Sequence, residues 1–252
     1  MSQAEKARSF TAMHRKGDPL VLYNIWDAGS AKALADQGAP ALATGSWSVA
    51  AAQGYGDGEA LPLDALLQIV TRICASVGVP VSVDFEGGYG ATPEAVATNL
   101  RRLLQAGAVG INFEDRIVQG DGLYPIATQA ARIQAMRAVA EKMAVPLFIN
   151  ARTDLFLGSD PATHSDHLTE ALERAAAYKA AGASGFFVPG LTDPELIGKI
   201  VEAANLPVNV MMLGSLKQVA EVAALGVARA SFGPGPYRLA MKGLQSQYAA
   251  LS

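Results

Sequence analysis

The chain has 252 residues, of which 50% are hydrophobic and 17% are charged, and its 20 basic and 23 acidic residues give a net charge of −3. This composition is too apolar for a disordered chain and suits a single folded domain, residues 1–252, with a large buried core. No basic cluster marks a surface for nucleic acid or an anionic membrane, so we expect a small-molecule partner. The amino terminus lacks the apolar core of a signal peptide, and no apolar segment reaches the ~20 residues that span a bilayer. These features predict a cytoplasmic protein.

Eight short apolar runs recur along the chain, each followed by a break and then by an amphipathic stretch rich in Ala and Leu. The runs are residues 20–26, 41–46, 80–86, 110–115, 147–153, 185–189, 208–212 and 229–233. Strands that are continuously apolar and separated by helices indicate a parallel sheet covered by helices. Eight of them in one domain favour a (β/α)₈ barrel, with an open doubly wound sheet as the alternative.

The cysteine and the histidines are expected to lie outside any catalytic centre. Cys74 is the single cysteine, which excludes an intramolecular disulfide, and it falls on the apolar face of a predicted helix. His14 lies beside two basic residues and is expected at the surface. The spacing of His164 and His167 could hold a metal, but the Ser, Thr and Asp around them favour a solvated helix-capping region.

Carboxylates gather at the ends of the third and fourth apolar runs. Asp84 and Glu86 are two residues apart, so strand alternation predicts that they point to the same side. Glu114 ends the next run, and strand ends meet at one mouth of a barrel. Crowded carboxylates repel each other, and an all-oxygen site suits Mg²⁺ or Mn²⁺ better than zinc. The alternative is a salt-bridge network with Arg152.

Two arginines are candidate anion contacts. Arg152 ends the fifth run, and its planar guanidinium matches a substrate carboxylate, although it could instead only neutralise the surplus acid. Arg238 closes the segment Gly-Pro-Gly-Pro-Tyr-Arg at residues 233–238. The prolines remove N–H groups that a phosphate site would use, so we interpret this segment as a rigid turn with Arg238 as a weaker candidate.

Five motifs at these strand ends carry a family resemblance. They are Trp-Asp-Ala-Gly-Ser-Ala (26–31), Thr-Gly-Ser-Trp-Ser-Val-Ala (44–50), Val-Asp-Phe-Glu-Gly-Gly-Tyr-Gly (83–90), Gly-Ile-Asn-Phe-Glu-Asp (110–115) and Asn-Ala-Arg-Thr-Asp (150–154). Their order resembles that of the isocitrate lyase / phosphoenolpyruvate mutase superfamily. The resemblance implies a (β/α)₈ barrel that forms a homodimer or homotetramer through a swapped C-terminal helix. It also implies Mg²⁺ and a 2-oxo acid or related carboxylate as ligands.

The resemblance also implies roles for individual residues. Asp84, Glu86 and Glu114 would form the metal site, partly through waters, with Asp57 behind them. Arg152 would bind the substrate carboxylate, and backbone N–H groups in the turn formed by Thr44, Gly45, Ser46 and Trp47 would hold its other end.

The loop after the fourth run departs from the superfamily pattern. Carbon–carbon lyases of this kind carry a Lys-Lys/Arg-Cys-Gly-His motif there, and the phosphorus-acting members carry a lysine and an asparagine, whereas residues 114–124 contain none of these signatures. A proton carrier would then be a carboxylate, a tyrosine or water, with Tyr124 and Asp121 as loop candidates. We therefore expect Arg152, Asp57 and Tyr124 to be the catalytic residues.

The leading hypothesis is a Mg²⁺-dependent enzyme that acts on a small 2-oxo or 2-hydroxy carboxylate through an enolate, as a carbon–carbon lyase or a decarboxylase. Two alternatives remain. One is a mutase that acts on phosphoenolpyruvate or carboxyphosphonoenolpyruvate. The other is a 2-oxo acid binding protein without turnover.

Overall fold

The computed structural model describes residues 1–251 and contains one parallel sheet of eight strands. Each strand lies within one of the predicted apolar runs. The strands are β1 (Leu20–Leu22), β2 (Leu42–Ala43), β3 (Val81–Asp84), β4 (Gly110–Glu114), β5 (Phe148–Arg152), β6 (Gly185–Phe187), β7 (Val208–Met211) and β8 (Arg229–Ser231).

The sheet closes on itself. Its hydrogen-bonded order is β1-β8-β7-β6-β5-β4-β3-β2, and a parallel bridge between Ile25 and Thr44 joins the segment just after β1 to the segment just after β2. The Ile25 N–H donates to the Ala43 carbonyl at 2.9 Å, and the Gly45 N–H donates to the Ile25 carbonyl at 3.1 Å. This closure confirms the (β/α)₈ barrel and rejects the open sheet.

One helix precedes the first strand, and the others follow the strands and surround the barrel. They are α1 (Gln3–Ala12), α2 (Ala28–Asp36), α3 (Ser46–Ala52), α4 (Leu63–Ser76), α5 (Pro93–Gln105), α6 (Ile126–Lys142), α7 (Leu168–Ala180), α8 (Pro194–Ala203), α9 (Val219–Ala224) and α10 (Gly235–Ala249). Local sequence sets several ends. Asp27 caps α2 by accepting the Ser30 N–H at 2.7 Å, and Gly107 and Gly182 follow α5 and α7 with φ of 102° and 101°, which favours glycine.

Helix α1 packs against the end of the barrel where the strands begin. Phe10 contacts Phe148, the first residue of β5, with ring centroids 5.6 Å apart. His14 stacks on the same ring at 3.8 Å and is only 9% exposed, so its expected surface position is wrong. Burial, together with the nearby charge of Arg229, lowers the pKa of His14 to about 3. His14 is therefore a neutral core residue at ordinary pH.

The histidine pair before α7 also differs from expectation. Asp160 caps the 3₁₀ turn Pro161–His167, as the polar composition indicated. His164, however, is 2% exposed and packs edge-on against Phe156 with ring centroids 5.2 Å apart. The solvated environment predicted for it is wrong, because the turn folds this ring back onto the chain that follows β5.

A layer of polar side chains crosses the barrel interior below the mouth. The fully buried Arg229 donates from Nη2 to Asn112 Oδ1 at 3.1 Å and from Nε to Ser231 Oγ at 3.2 Å. Asn150 donates to the same Asn112 oxygen at 2.9 Å. Burial lowers the pKa of Arg229 to about 9. These contacts tie β4, β5 and β8 together and hold Asn112 in one amide orientation.

The C-terminal helix α10 presents apolar residues to the outside. Only Pro236 of this helix is buried, whereas Leu239, Leu244 and Tyr248 are exposed. Its expected exchange between subunits, in a homodimer or homotetramer, stays a prediction. No helix within residues 1–251 combines the length and apolar character needed to cross a membrane.

Candidate active site

Asp84 is the last residue of β3 and lines the barrel mouth. Its backbone N–H donates to Thr44 Oγ1 at 2.9 Å, and its Oδ2 accepts the N–H of Ser46, the first residue of α3, at 3.1 Å. Asn112 lies 3.4 Å from the other oxygen. Thr44 is buried and thus acts by positioning Asp84, while Gly45, Ser46 and Trp47 line the mouth cavity.

Glu86 reaches the site by a route that the sequence did not predict. Strand β3 ends at Asp84, and Glu86 adopts a left-handed backbone with φ of 48°, so the argument from strand alternation is wrong for it. Its Oε2 accepts the Glu59 N–H at 2.8 Å. Burial, with Asp57 and Asp84 nearby, raises the pKa of Glu86 to about 8. The carboxylates are crowded as expected, although this one does not line the cavity.

Arg152 connects the ends of β4 and β5. Its Nη1 lies 3.0 Å from Glu114 Oε2, and its Nε and Nη2 donate to the two oxygens of Asp154 at 2.6 and 2.9 Å. Burial raises the pKa of Glu114, and the Arg152 charge opposes this shift. Since a guanidinium has five N–H bonds, one on each terminal nitrogen of Arg152 is left for a ligand.

Asp57 comes from the loop after α3 and lies beside this cluster. Burial and the charge of Asp84 raise its pKa, while hydrogen bonds from the Ser46 side chain and the Gly58 backbone lower it. Its carboxyl lines the same cavity as Asp84 and Arg152. A carboxyl at the cavity wall with a raised pKa is suited to hold or transfer a proton.

The donor set fits a hard divalent cation. The charge of Asp84 raises the pKa of both Asp57 and Glu86, and Arg152 is already paired with Glu114 and Asp154. Within residues 1–251 no three His, Cys, Asp or Glu side chains converge into a ready-made metal cage. Mg²⁺ commonly takes one or two carboxylates and keeps several waters, so Asp84, with the other carboxylates acting through water, is a suitable holder.

The mouth cavity has a volume of about 180 Å³ and two unlike halves. Residues from β2 to β5 and the loops after them contribute Ser46, Asp57, Asp84, Asn112 and Arg152 to a polar half. The chain after β5 and the ends of β6 to β8 contribute an apolar half. That half consists of Leu157, Phe187, Pro189, Met211 and Pro234. At this size the ligand is small, because sites for drug-sized ligands span roughly 300–1,000 Å³.

Tyr124 is not brought to this cavity. Its N–H donates to the Asp115 carbonyl at 2.7 Å, and the guanidinium of Arg132 lies 4.1 Å from its ring centroid. It lines a neighbouring cavity with Glu59 and Tyr89, under the loop after β4. The catalytic role expected of Tyr124 stays a prediction, and we do not assign it a step.

Sequence reasoning missed three residues that shape the site. Asp154 accepts two hydrogen bonds from the guanidinium of Arg152. Its position two residues after Arg152 could have indicated this ion pair. Asn112 bridges Arg229 to Asp84. Asn24 lines the cavity, donates to the Thr44 carbonyl at 2.9 Å and accepts the N–H groups of residues 232 and 233. No local pattern marked Asn24, because its partners come from the opposite end of the chain.

Comparison with known proteins agrees with this geometry. The sequence profile of the phosphoenolpyruvate phosphomutase family matches residues 10–252. The structure of a Burkholderia cenocepacia J2315 protein, provisionally named a phosphonomutase, is 46% identical with a TM-score of 0.97, and the match covers 100% of both chains. An uncharacterised protein of Mycobacterium tuberculosis (strain H37Rv) is 36% identical over 91% of this chain and 83% of its own length.

Relatives with named activities catalyse different reactions. Phosphoenolpyruvate phosphomutase of Streptomyces hygroscopicus is 31% identical over 82% of this chain and 67% of its own length. A 2-methylisocitrate lyase and an oxaloacetate decarboxylase also match, at 28% and 30% identity. Family membership therefore supports a lyase- or mutase-type activity without choosing the reaction. With its closed barrel, its acidic mouth and these matches, the chain belongs to the phosphoenolpyruvate mutase / isocitrate lyase superfamily.

Proposed function

We propose that this protein is a Mg²⁺-dependent enzyme that breaks a carbon–carbon bond in a small 2-oxo or 2-hydroxy carboxylate and releases an enolate. The observation that carries the proposal is the composition of the mouth cavity. Acidic groups outnumber a single arginine, and among the described residues no Cys, His or Lys lines the cavity.

The reaction must be one that these acidic side chains and a single arginine can support. When bound, Mg²⁺ would stabilise the developing negative oxygen of an enolate. Arg152 has two N–H bonds left to bind the substrate carboxylate, and Asp154 holds its guanidinium in place. A β-carboxylate can leave as CO₂ without a side-chain base at the carbon. Decarboxylation is therefore the reaction that requires the fewest catalytic side chains here. Cleavage of a 2-hydroxy acid needs a base for the hydroxyl proton, and Asp57 is the candidate.

The mutase alternative is less well supported by the charges. A phosphoryl or phosphonate group carries more negative charge than a carboxylate and usually meets several cationic groups. Here Arg152 is the single cationic residue lining the described cavity, and it is already shared with Glu114 and Asp154. We therefore rank carbon–carbon chemistry above phosphorus–carbon chemistry.

The test is turnover of a panel of 2-oxo and 2-hydroxy di- and tricarboxylates with Mg²⁺, followed by NMR. The proposal predicts formation of a smaller 2-oxo acid, with CO₂ or a second carboxylate as co-product, and loss of activity in EDTA and in Asp84→Asn. A matched control is Asp64→Asn, since Asp64 lies on the outside of the barrel on α4 and outside the mouth cavity. Conversion of phosphoenolpyruvate without carbon–carbon cleavage would instead establish the mutase. Ligand binding without any turnover would establish a binding protein.

A further inference from the structure

Arg229 is a buried cation beneath the mouth cavity, and the proposed chemistry does not use it. It is the first residue of β8, it is fully buried, and it does not line the cavity itself. The guanidinium donates to Asn112 and Ser231, and both of these side chains are neutral and line the cavity. The remaining nitrogen, Nη1, has no hydrogen-bond partner among residues 1–251. Within that range, the positive charge of Arg229 is therefore shielded from solvent without a carboxylate partner.

A guanidinium in this position is costly unless negative charge lies nearby. Burial lowers the pKa of Arg229 to about 9, and the charge of Asp84 opposes this shift. Arg229 therefore remains a cation at neutral pH, and the charge of Asp84 partly offsets it. Additional negative charge on a ligand in the cavity would offset the cation further. Arg229 is thus a second source of positive charge for a ligand, besides Arg152.

Asn112 connects this cation to the mouth. Its Oδ1 accepts hydrogen bonds from Arg229 Nη2 at 3.1 Å and from Asn150 at 2.9 Å, so both lone pairs of that oxygen are used. The amide nitrogen therefore faces the other way, 3.4 Å from Asp84 Oδ1. A rotated amide would turn its oxygen towards the Asp84 carboxylate and its nitrogen towards the guanidinium, which is unfavourable at both ends. An amide nitrogen has two N–H bonds, so one can serve Asp84 and the other a ligand oxygen in the cavity.

We propose that Arg229 is a positioning residue that acts through Asn112: it turns the amide N–H groups of Asn112 towards Asp84 and the ligand, and its charge strengthens their hydrogen bonds to a negative ligand oxygen. The inference rests on the proposed function, in which negative charge moves onto the 2-oxo oxygen as the enolate forms. A fixed donor that is polarised by a buried cation favours that charge and needs no rearrangement during the reaction.

The experiment is calorimetric titration of the Mg²⁺-loaded protein with oxalate and with oxamate. Oxamate has the size and planarity of oxalate, but a neutral amide replaces one carboxylate. The ratio of the two dissociation constants reports how strongly the site favours the second negative charge, and the preference of Mg²⁺ itself cancels when variants are compared. Arg229→Gln removes the cation and should weaken oxalate binding about five- to tenfold more than oxamate binding. Arg229→Lys keeps the charge and should restore most of the parent's ratio.

Asn112→Ala tests the route by which Arg229 acts. This variant removes the polarised donor, so it should reduce the preference for oxalate over oxamate at least about threefold. Adding Arg229→Gln to it should change the ratio by a smaller factor than Arg229→Gln does in the parent, because the two residues act together. Equal factors in the two backgrounds would show that Arg229 acts independently of Asn112 and overturn the inference.

Arg137→Gln is the matched control. Arg137 is a half-buried arginine on α6 that donates to the carbonyls of Leu147 and Gly182 and lies outside the mouth cavity. Its replacement should leave the ratio of the two constants unchanged, whatever it does to stability. If Arg229→Gln does not fold, Asn112→Ala decides alone, and an unchanged ratio in that variant overturns the inference.

The same titrations separate this inference from the proposed function. If the parent binds oxalate in Mg²⁺ and Arg229→Gln keeps the parent's ratio of oxalate to oxamate affinity, Arg229 has a structural role only and the proposed function stands. Failure of the parent to bind oxalate in Mg²⁺ overturns both.

Discussion

Arg152 and Asp154, two residues apart at the end of β5, form a two-point ion pair in which Nε and Nη2 lie 2.6 and 2.9 Å from the two carboxylate oxygens. The pair fixes the plane of the guanidinium. It also leaves an N–H bond on each terminal nitrogen, a spacing that matches one ligand carboxylate. Arg152 is therefore both a counter-ion and a candidate ligand-binding group, and the two roles predict different results.

Arg152→Lys separates those roles. Lysine keeps the charge but loses the paired N–H geometry, so the dissociation constant of oxalate in Mg²⁺ should rise roughly ten- to a hundredfold, equivalent to about 1.5–3 kcal/mol. Isothermal titration calorimetry measures this dissociation constant. Arg72→Lys, on the exposed face of α4, is the matched control. An unchanged constant would identify Arg152 as a structural counter-ion.

Glu86→Gln tests the charge crowding. The pKa of Glu86 is raised from 4.5 to about 8, so the metal-free folded protein keeps a proton that the unfolded chain releases. Its free energy of unfolding should fall as pH rises from about 4.5 to about 8. The glutamine can still accept the Glu59 N–H, so the fold should tolerate the change. The free energy of unfolding of the variant should decline less with pH and, at pH 8, exceed that of the parent by on the order of 1–3 kcal/mol.

Urea denaturation in EDTA across that pH range measures the effect, and Mg²⁺ affinity should fall in the same variant. The control is Glu202→Gln, because Glu202 is exposed on the outside of α8. If the two variants and the parent give parallel curves of stability against pH, the carboxylates are not crowded as described.

The single thiol should be dispensable. Cys74 lies on α4, away from the mouth cavity, and burial raises its pKa to about 11, which keeps it protonated and unreactive. Cys74→Ala should keep activity, and alkylation should not inactivate the parent. Because the loop after β4 carries no cysteine, cleavage of isocitrate or 2-methylisocitrate should be slow or absent. Cleavage at about 1–10³ s⁻¹, or inactivation that tracks Cys74 modification, would contradict this.

Much of the barrel could be predicted because buried parallel strands are continuously apolar, and all eight lie inside the predicted runs. The failures have local causes. Glu86 lies beyond the end of β3 and has a left-handed backbone itself, so the alternation of side chains along a strand does not predict its direction. His14 looked exposed beside Arg15, yet it stacks on Phe148, a contact between residues far apart in the chain. The apolar half of the cavity escaped notice for the same reason, since its members come from four separate segments.

One glycine, Gly190, allows the loops after β5 and β6 to approach each other closely. Gly190 has φ of 89°, and a Cβ there would lie 2.4 Å from the Phe156 carbonyl oxygen, so Gly190→Ala should cost about 2–4 kcal/mol. Gly198→Ala is the control, because Gly198 lies within α8 with nothing within 4 Å of a new Cβ. The free energy of unfolding of Gly198→Ala, measured by urea denaturation, should rise by about 0.5–1 kcal/mol. Equal stability of the two variants would refute the close packing of these loops.

In the proposed function a divalent cation and Arg152 together hold a planar, enolate-like dianion at the mouth of the barrel. Oxalate has that shape and charge, so its calorimetric titration in Mg²⁺ and in EDTA is the most direct test. Oxalate should bind in Mg²⁺ and at least about a hundredfold more weakly in EDTA, because the acidic cluster repels an anion that has no cation to bridge it. Oxalate affinity that is the same with and without Mg²⁺ would contradict it.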